Sequence, residues 1–425
     1  MGGKAAIILV VGFSFILGYI SLNLNRVATQ AVGNMSTYAN MTASNHLAKT
    51  GANIGLSKFY QDTTWYGTFT QSYDTPTLTG SVTVSMTDLG PDQARIRSVS
   101  SLPVDGSTTL HDTIEVFFDK RRKNSFSLYA WMTNFEGNVF WITGDTVWGR
   151  VHSNGNLHVN GKPVFMEKVT TAKGFDPKVG KGTNNAIFKK GYETGVAGID
   201  FPDDLKELID ASTSGGRRYP DSIWVTLSAG TAANDDGMAY IRPTKLGPVI
   251  DSINLGDPSF NGALVADGKV NVEGVVDGVL TIGSLTEVHV QNDILYAQNP
   301  RFGASDDLLG LVAEQNVVVA DNAENNTDCE IHASVFARTG SFMAENYDKR
   351  PVSGELRLLG SLVQDERGAV GTFTGSTLKT GFFKRYRYDV RLADPEVRPP
   401  FYPGFYVKTF AISNWWESYR IADFR

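Results

Sequence analysis

The chain has 425 residues, room for two or three domains, and carries a net charge of -6 with 20% of its residues charged. That balance gives no reason to expect nucleic acid or an anionic membrane surface as the main partner. The single cysteine, Cys329, excludes an intrachain disulfide, so the fold must be held by its core; no His and Asp arrangement makes this thiol a nucleophile, and it reads as a small buried hydrophobe. Forty-three glycines without a collagen period, among abundant Val, Thr and aromatic residues, predict short strands joined by tight turns and hence a mainly β body.

The first predicted element is a helix. Ala5 to Leu22, AAIILVVGFSFILGYISL, is uncharged and almost wholly apolar, and as a helix it covers roughly 27 Å, enough to cross a bilayer. The helical pattern continues to about Tyr60: no proline interrupts it, no acid occurs before Asp62, and the only basic residues are Lys4, Arg26, Lys49 and Lys58. Leu24, Val27, Ala31, Met35, Leu47 and Leu56 form one apolar stripe diluted by small residues. A helix of roughly 55 residues would run about 80 Å, with two-thirds of it outside a membrane. Its neutral, small-residue surface suits packing against other helices. Ile7, Leu9, Phe13, Phe15 and Ile16 are the candidate assembly positions. Two alternatives are a single-span anchor followed by a Ser/Thr/Asn-rich stalk, and a cleaved signal peptide.

Gly67 to Phe118 predicts four strands with turns at Asp74 to Pro76, Gly90 to Asp92 and Asp105 to Ser107, a half-buried antiparallel meander over residues 63–124. The run Asp119 to Lys123, DKRRK, marks a solvated boundary. From Ser125 to Phe165 the turn dipeptides Asn154-Gly155 and Asn160-Gly161 recur too often for a sandwich and fit a coil that bends and climbs. Between about 166 and 259 the pattern weakens and predicts an insertion, with a helix over Phe201 to Thr213 and strands near Ile223 to Leu227 and Ala239 to Arg242. From Gly262 the rhythm of short β-branched runs closed by Gly, Asn or Asp returns. It predicts a parallel β-helix-like body over residues 125–395, an irregular β-sandwich being the alternative. Residues 396–425, rich in aromatics and opened by Pro399, Pro400 and Pro403, predict a segment wrapped over an end or side of that body.

Several constellations bear on chemistry. Asp235-Asp236 and Asp306-Asp307 are adjacent acids in turn-like contexts, whereas glycoside cleavage needs two carboxylates facing one cleft. His152 and His158 flank Asn154-Gly155 and would approach each other across a two-residue hairpin, but two ligands make a poor metal site. GFDPKVGKG, Gly174 to Gly182, misses the spacing of a phosphate loop. Asn234 to Gly237 offers at most weak calcium binding, and no other cofactor is expected. Asn34, Asn40 and Asn325 begin N-x-[ST] triplets of the kind that chance supplies.

VWGRVHSNGNLHVNGKPVF, GLVAEQNVVV, IHASVFARTGSFMAE and GELRLLGSLVQDERGAVGTF, followed by YRYDVRLADPEVRPPFYP, resemble a bacterial domain family of uncharacterised function that typically follows a pilin-like N-terminus of the minor-pilin type. The resemblance covers roughly Phe126 to Pro403, and Tyr388-Asp389 with Arg391-Leu392 is its most specific part. The long helix and meander are similar in layout to type IV pilins and type II secretion pseudopilins. That layout departs at the prepilin junction: neither Gly3-Lys4, with Ile8 at the fifth place, nor Gly12-Phe13, with Leu17 there, supplies the family's glutamate. The resemblance implies a non-enzymatic subunit of a surface filament. Its partners would be other pilin-like subunits or its own copies, with the inner membrane before assembly, and its place the bacterial cell envelope or surface. The β body would serve adhesion, capping or contact. The alternatives are a membrane-tethered β-helix enzyme acting on polysaccharide and a membrane-anchored envelope scaffold.

Overall fold

The structure, a computed structural model, describes residues 2–75, 78–231, 236–374 and 377–418. Two compact units form, one from residues up to Arg122 together with those from Tyr406 onward, the other from Lys123–Phe405. Pro76, in the first expected turn, lies outside the described residues.

The first unit is a long helix on an antiparallel sheet. Helix α1 is Gly2–Gln61. Strands β1 (Thr68–Thr75), β2 (Leu78–Asp88), β3 (Gln93–Pro103), β4 (Thr109–Leu110) and β5 (Thr113–Ser125) follow, in the order β1-β2-β3-β5 with β4 beside β3. Alternation in sequence becomes alternation of faces: Val82, Val84 and Met86, then Ala94 and Ile96, then Ile114, Val116 and Phe118 all turn to one side. Leu47, Ala48, Ala52, Leu56 and Phe59 of α1 cover that side. Each large apolar side chain so buried is worth about 1.5–3 kcal/mol. Gly51 and Gly55 permit the close fit, since a Cβ on Gly51 would strike Ser98 and Val82, and one on Gly55 would sit 2.9 Å from Val84 Cγ1.

The second unit is built from short strands. Its first part contains β6 (Trp131–Phe135), β7 (Trp141–Ile142), β8 (Thr146–Val147), β9 (Val151–Ser153), β10 (Asn156–Asn160), β11 (Val164–Phe165), β12 (Val169–Thr171), β13 (Gly174–Asp176), β14 (Ile187–Phe188) and β15 (Tyr192–Thr194). Helix α2 (Lys206–Thr213) precedes β16 (Arg217–Tyr219), β17 (Ile223–Ser228), β18 (Met238–Arg242), β19 (Asp251–Asn254), β20 (Ala263–Ala266) and β21 (Val270–Val276). Then come β22 (Val279–Ser284), β23 (Val288–Tyr296), β24 (Leu308–Ala313), β25 (Val317–Val319), β26 (Cys329–Ala337), β27 (Phe342–Ala344), β28 (Val352–Glu366), β29 (Gly371–Thr374) and β30 (Thr377–Tyr388). Strand β31, Gly404–Glu417, closes the described chain.

One ladder runs through the whole body, every step parallel: β16-β20-β22-β24-β26-β28-β6-β9-β12-β15. A second face carries β17-β21-β23-β25-β27. Parallel pairing of successive coils makes a β-helix-like stack and removes the sandwich alternative, whose sheets would be antiparallel. At one register position the ladder stacks Leu264, Ile282, Leu311, Val335, Leu362, Trp131, Val151 and Val169, all buried, so each strand's inward residue rests on those of its neighbouring coils. The spatial order is permuted relative to the chain: coils from β16 to β28 come first, and those from β6 to β15 continue them.

Two expectations are corrected. Residues 166–259 are not an insertion throughout. Strands β13, β14 and β15 form a coil stacked in parallel on β10, β11 and β12, and β16 and β17 pair in parallel with β20 and β21. Their strands are two to six residues long and partly exposed, so they leave little hydrophobic pattern; only β18 and β19 fold back antiparallel. The C-terminal segment does not simply wrap the body. Thr281 Oγ1 donates to the Pro400 carbonyl at 2.5 Å and Tyr402 is buried there, but β31 joins β5 at the edge of the antiparallel sheet. After Pro403 no proline removes an N–H donor, so this stretch can complete a ladder. The expected helix from Phe201 begins at Lys206.

Candidate functional site

Helix α1 spans about 90 Å, and its two halves differ in what they touch. From Ser44 onward one face lies on the sheet: Ser98 Oγ donates to the Ala48 carbonyl at 2.7 Å, the Ser44 and Ser100 hydroxyls are 2.8 Å apart, and Asn45 donates to Asp112 at 3.0 Å. Lys49 pairs with Glu417 of β31 at 3.0 Å. Burial pushes the Glu417 carboxyl up, but Lys49, Trp415 and Asn45 outweigh it and hold the group below the usual carboxylate range.

Residues 3–39 are exposed on every side. Ile7, Leu9, Phe13, Phe15 and Ile16 range from 56% exposed at Ile16 to 76% at Phe15. Of the sequence stripe, Leu47 and Leu56 are buried, whereas Leu24, Val27 and Met35 stand free because the sheet begins only at Ser44. An 18-residue stretch here has mean hydropathy 2.4, and Lys4 and Arg26 are the only charges in this half. Three of its hydroxyls bond back into the helix: Ser14 donates to the Val10 carbonyl at 2.9 Å, Thr29 to Asn25 at 2.9 Å and Thr37 to Gly33 at 3.0 Å.

The body places the other candidates apart. Asn154-Gly155 is a corner, not a hairpin: β9 pairs with β6 and β12, and β10 with β7 and β13. His152 therefore bonds Thr170 at 2.8 Å and Asn154 at 2.9 Å, its pKa lowered by burial, while His158 faces Asp176 at 3.3 Å. Asp306 is exposed, but Asp307 is buried and accepts from the Gly278 and Gln298 amides at 2.8 and 2.9 Å. Burial pushes its pKa up. Asn234 and Asp235 lie outside the described residues. Gly174–Asp176 of the would-be phosphate loop is strand β13, with no helix after it to present amides to a phosphate. Burial pushes the Cys329 thiol up to about 12. An open cleft of about 450 Å³ holds Asp200, Asp203 and Asp365 with Arg338, and Asn134 donates to Asp365 at 2.8 Å.

The Tyr388-Asp389-Arg391 motif works as a latch. The Tyr388 hydroxyl donates to the Ser127 carbonyl at 3.1 Å, Asp389 binds Arg391 at 2.7 Å, and Arg391 donates to the Ser305 and Asp307 carbonyls at 2.7 and 2.9 Å. Sequence reasoning missed a buried ionic cluster where β28 meets β6. Arg367 and Glu136, 1% and 0% exposed, pair at 2.9 Å. The guanidinium lies 4.2 Å from the Trp141 ring and 5.0 Å from that of Trp131. The tryptophans flanking Glu136 in WMTNFEGNVFW were the available signal.

The fold and this helix define a mainly β protein bearing an exposed apolar helix long enough to cross a membrane. No family model matches the chain, and no curated protein does. Among solved structures, the crystal structure of competence-associated pilin ComZ from Thermus thermophilus is similar at TM-score 0.36 and 13% identity, over 89% of this chain and 97% of that one.

Proposed function

We propose that the chain is a non-enzymatic structural subunit of a type IV pilus-like or type II secretion-like surface filament. It is held in the inner membrane through α1 before assembly and packed afterwards along the same helix against pilin-like subunits or its own copies. The observation that carries this reading is the half of α1 over residues 3–39, exposed all round and, over Ala5–Leu22, uncharged and almost wholly apolar. A soluble protein does not leave a bare apolar surface of that extent in water. Moving from lipid into a helical bundle exchanges one apolar setting for another, and Gly12 and Gly18, with nothing within 4 Å of a Cβ, let neighbouring helices approach closely. The β body is then displayed for adhesion, tip capping or contact.

Mass spectrometry of sheared surface filaments and of membranes from the same cells tests this. Recovery in the filaments supports the reading; recovery only in membranes, with Met1 intact, sinks it and leaves an anchored scaffold. Should the purified chain release reducing ends from polysaccharide, and lose that activity in Asp200→Asn or Asp365→Asn, the non-enzymatic half of the proposal fails.

A further inference from the structure

The permuted stack has a seam where strands distant in the chain must hold each other: β28 meets β6 and β30 meets β8, late strands against early ones. At that seam Lys384 Nζ of β30 lies 3.5 Å from Asp145 Oδ2, in the turn between β7 and β8, and the two side chains are 16% and 11% exposed. Trp131, Trp141 and Tyr386 line the slot around them, with about 20 Å³ of free volume, room for about one water molecule. Trp131 and Trp141 both line this slot, and their buried indole N–H groups find no acceptor among the described residues, an arrangement proteins rarely leave uncompensated.

We propose that Lys384 and Asp145 condense to an intramolecular isopeptide bond that staples the seam. The Nζ–Cγ bond forms and one Cγ–O bond breaks. The ammonium gives up two protons, which leave with the departing carboxyl oxygen as water; the nitrogen keeps one, and no oxidant, reductant or co-reactant is consumed. Three features favour the step. The groups are held together, which replaces a bimolecular encounter by an intramolecular one. Burial lowers the Lys384 amine to about 8, so a fraction of it is neutral and nucleophilic near neutral pH. The Ile142 amide donates to Asp145 Oδ2 at 3.0 Å and so fixes the carboxyl. Arg367 belongs to the adjacent cluster and pairs with Glu136, leaving Asp145 to the lysine. The inference stands whether or not the chain assembles into a filament.

Intact mass spectrometry of the full-length chain in detergent, followed by peptide mapping, decides it. The expected result is a mass lower than the sequence requires by one water, with Lys384 and Asp145 in one branched peptide and no tryptic cleavage after Lys384. Asp145→Asn should give the same branched peptide by loss of ammonia, and Lys384→Met should restore the full mass. The wild-type chain at its full sequence mass, or a lost water mapped to another position, overturns the proposal, and neither result depends on a variant folding.

Discussion

Gly51→Ala should weaken the first unit, whereas Gly33→Ala should strengthen it, although both exchange glycine for the best helix former in the same helix. The intrinsic gain is about 1 kcal/mol at each position. At Gly33 nothing lies within 4 Å to oppose it. At Gly51 the new Cβ lands on Ser98 Oγ and Val82 Cγ2 and 3.0 Å from Val84 Cγ2. Relief requires moving Ser98, whose hydroxyl holds the Ala48 carbonyl, at about 1 kcal/mol for the lost bond, and repacking the valines at about 1–3 kcal/mol. The net loss is about 1–3 kcal/mol, or a fall of about 3–9 °C in Tm for a unit of this size. Because the chain has two units, the assay must be local: amide exchange at Val82, Val84 and Ile96 of the detergent-solubilised full chain, on a temperature ramp. If Gly51→Ala slows exchange there as much as Gly33→Ala does, close approach of helix and sheet is not what glycine provides at 51.

Arg367→Ala strands the Glu136 carboxylate in the core and should cost the second unit about 3–5 kcal/mol, read by tryptophan fluorescence in urea, while the joint exchange Glu136→Leu with Arg367→Met should recover most of it. The Glu417 carboxyl has a depressed folded pKa, so its contact with Lys49 contributes fully above the ordinary Glu value of 4.5 and is lost as pH falls through the lower, folded value. Protection of the β31 amides, corrected for the intrinsic pH dependence of exchange, should fall below 4.5 and stay flat from there to neutral pH. Ile16→Asp places a charge near the middle of the apolar run, at a cost of about 2.5–3.5 kcal/mol for insertion, and should move the chain out of the membrane fraction, whereas Ile16→Leu should not.

How much could be read beforehand depended on whether the signal was local. The apolar run from Ala5 and the alternation of Val82, Val84 and Met86 are local, and both elements appear where the residues put them. The rhythm after Gly262 is also local, because each coil repeats the same exchange of inward and outward residues. Asn154-Gly155 reads as the coil turn it is, but the same dipeptide also serves a hairpin, and only the partners of β9 and β10 show that His152 and His158 do not face each other across one. The pairing of β28 with β6 leaves no local trace, so neither the coil order nor the meeting of Glu136 with Arg367 and of Asp145 with Lys384 could be derived.

That permuted order has a physical reason in the way the body is spliced into its host. The chain leaves the first unit within β5 and returns within β31, and these strands are neighbours in one sheet. Inside the body the two ends of the spliced segment also meet: the Phe126 amide donates to the Pro403 carbonyl at 3.1 Å, and the rings of Phe126 and Phe405 are 4.9 Å apart. A solenoid entered at one end and left at the other would hold its termini apart by the length of the stack, roughly 40 Å at about 4.8 Å per coil. Entering in the middle, climbing to one end, crossing to the other and climbing back brings β6 beside β28 and closes that gap. The host sheet is then asked to accommodate only a short loop closure. The helix-and-sheet unit keeps its own core, so the coils can lengthen or change their surface without disturbing the packing of α1, provided the seam between first and last coils holds.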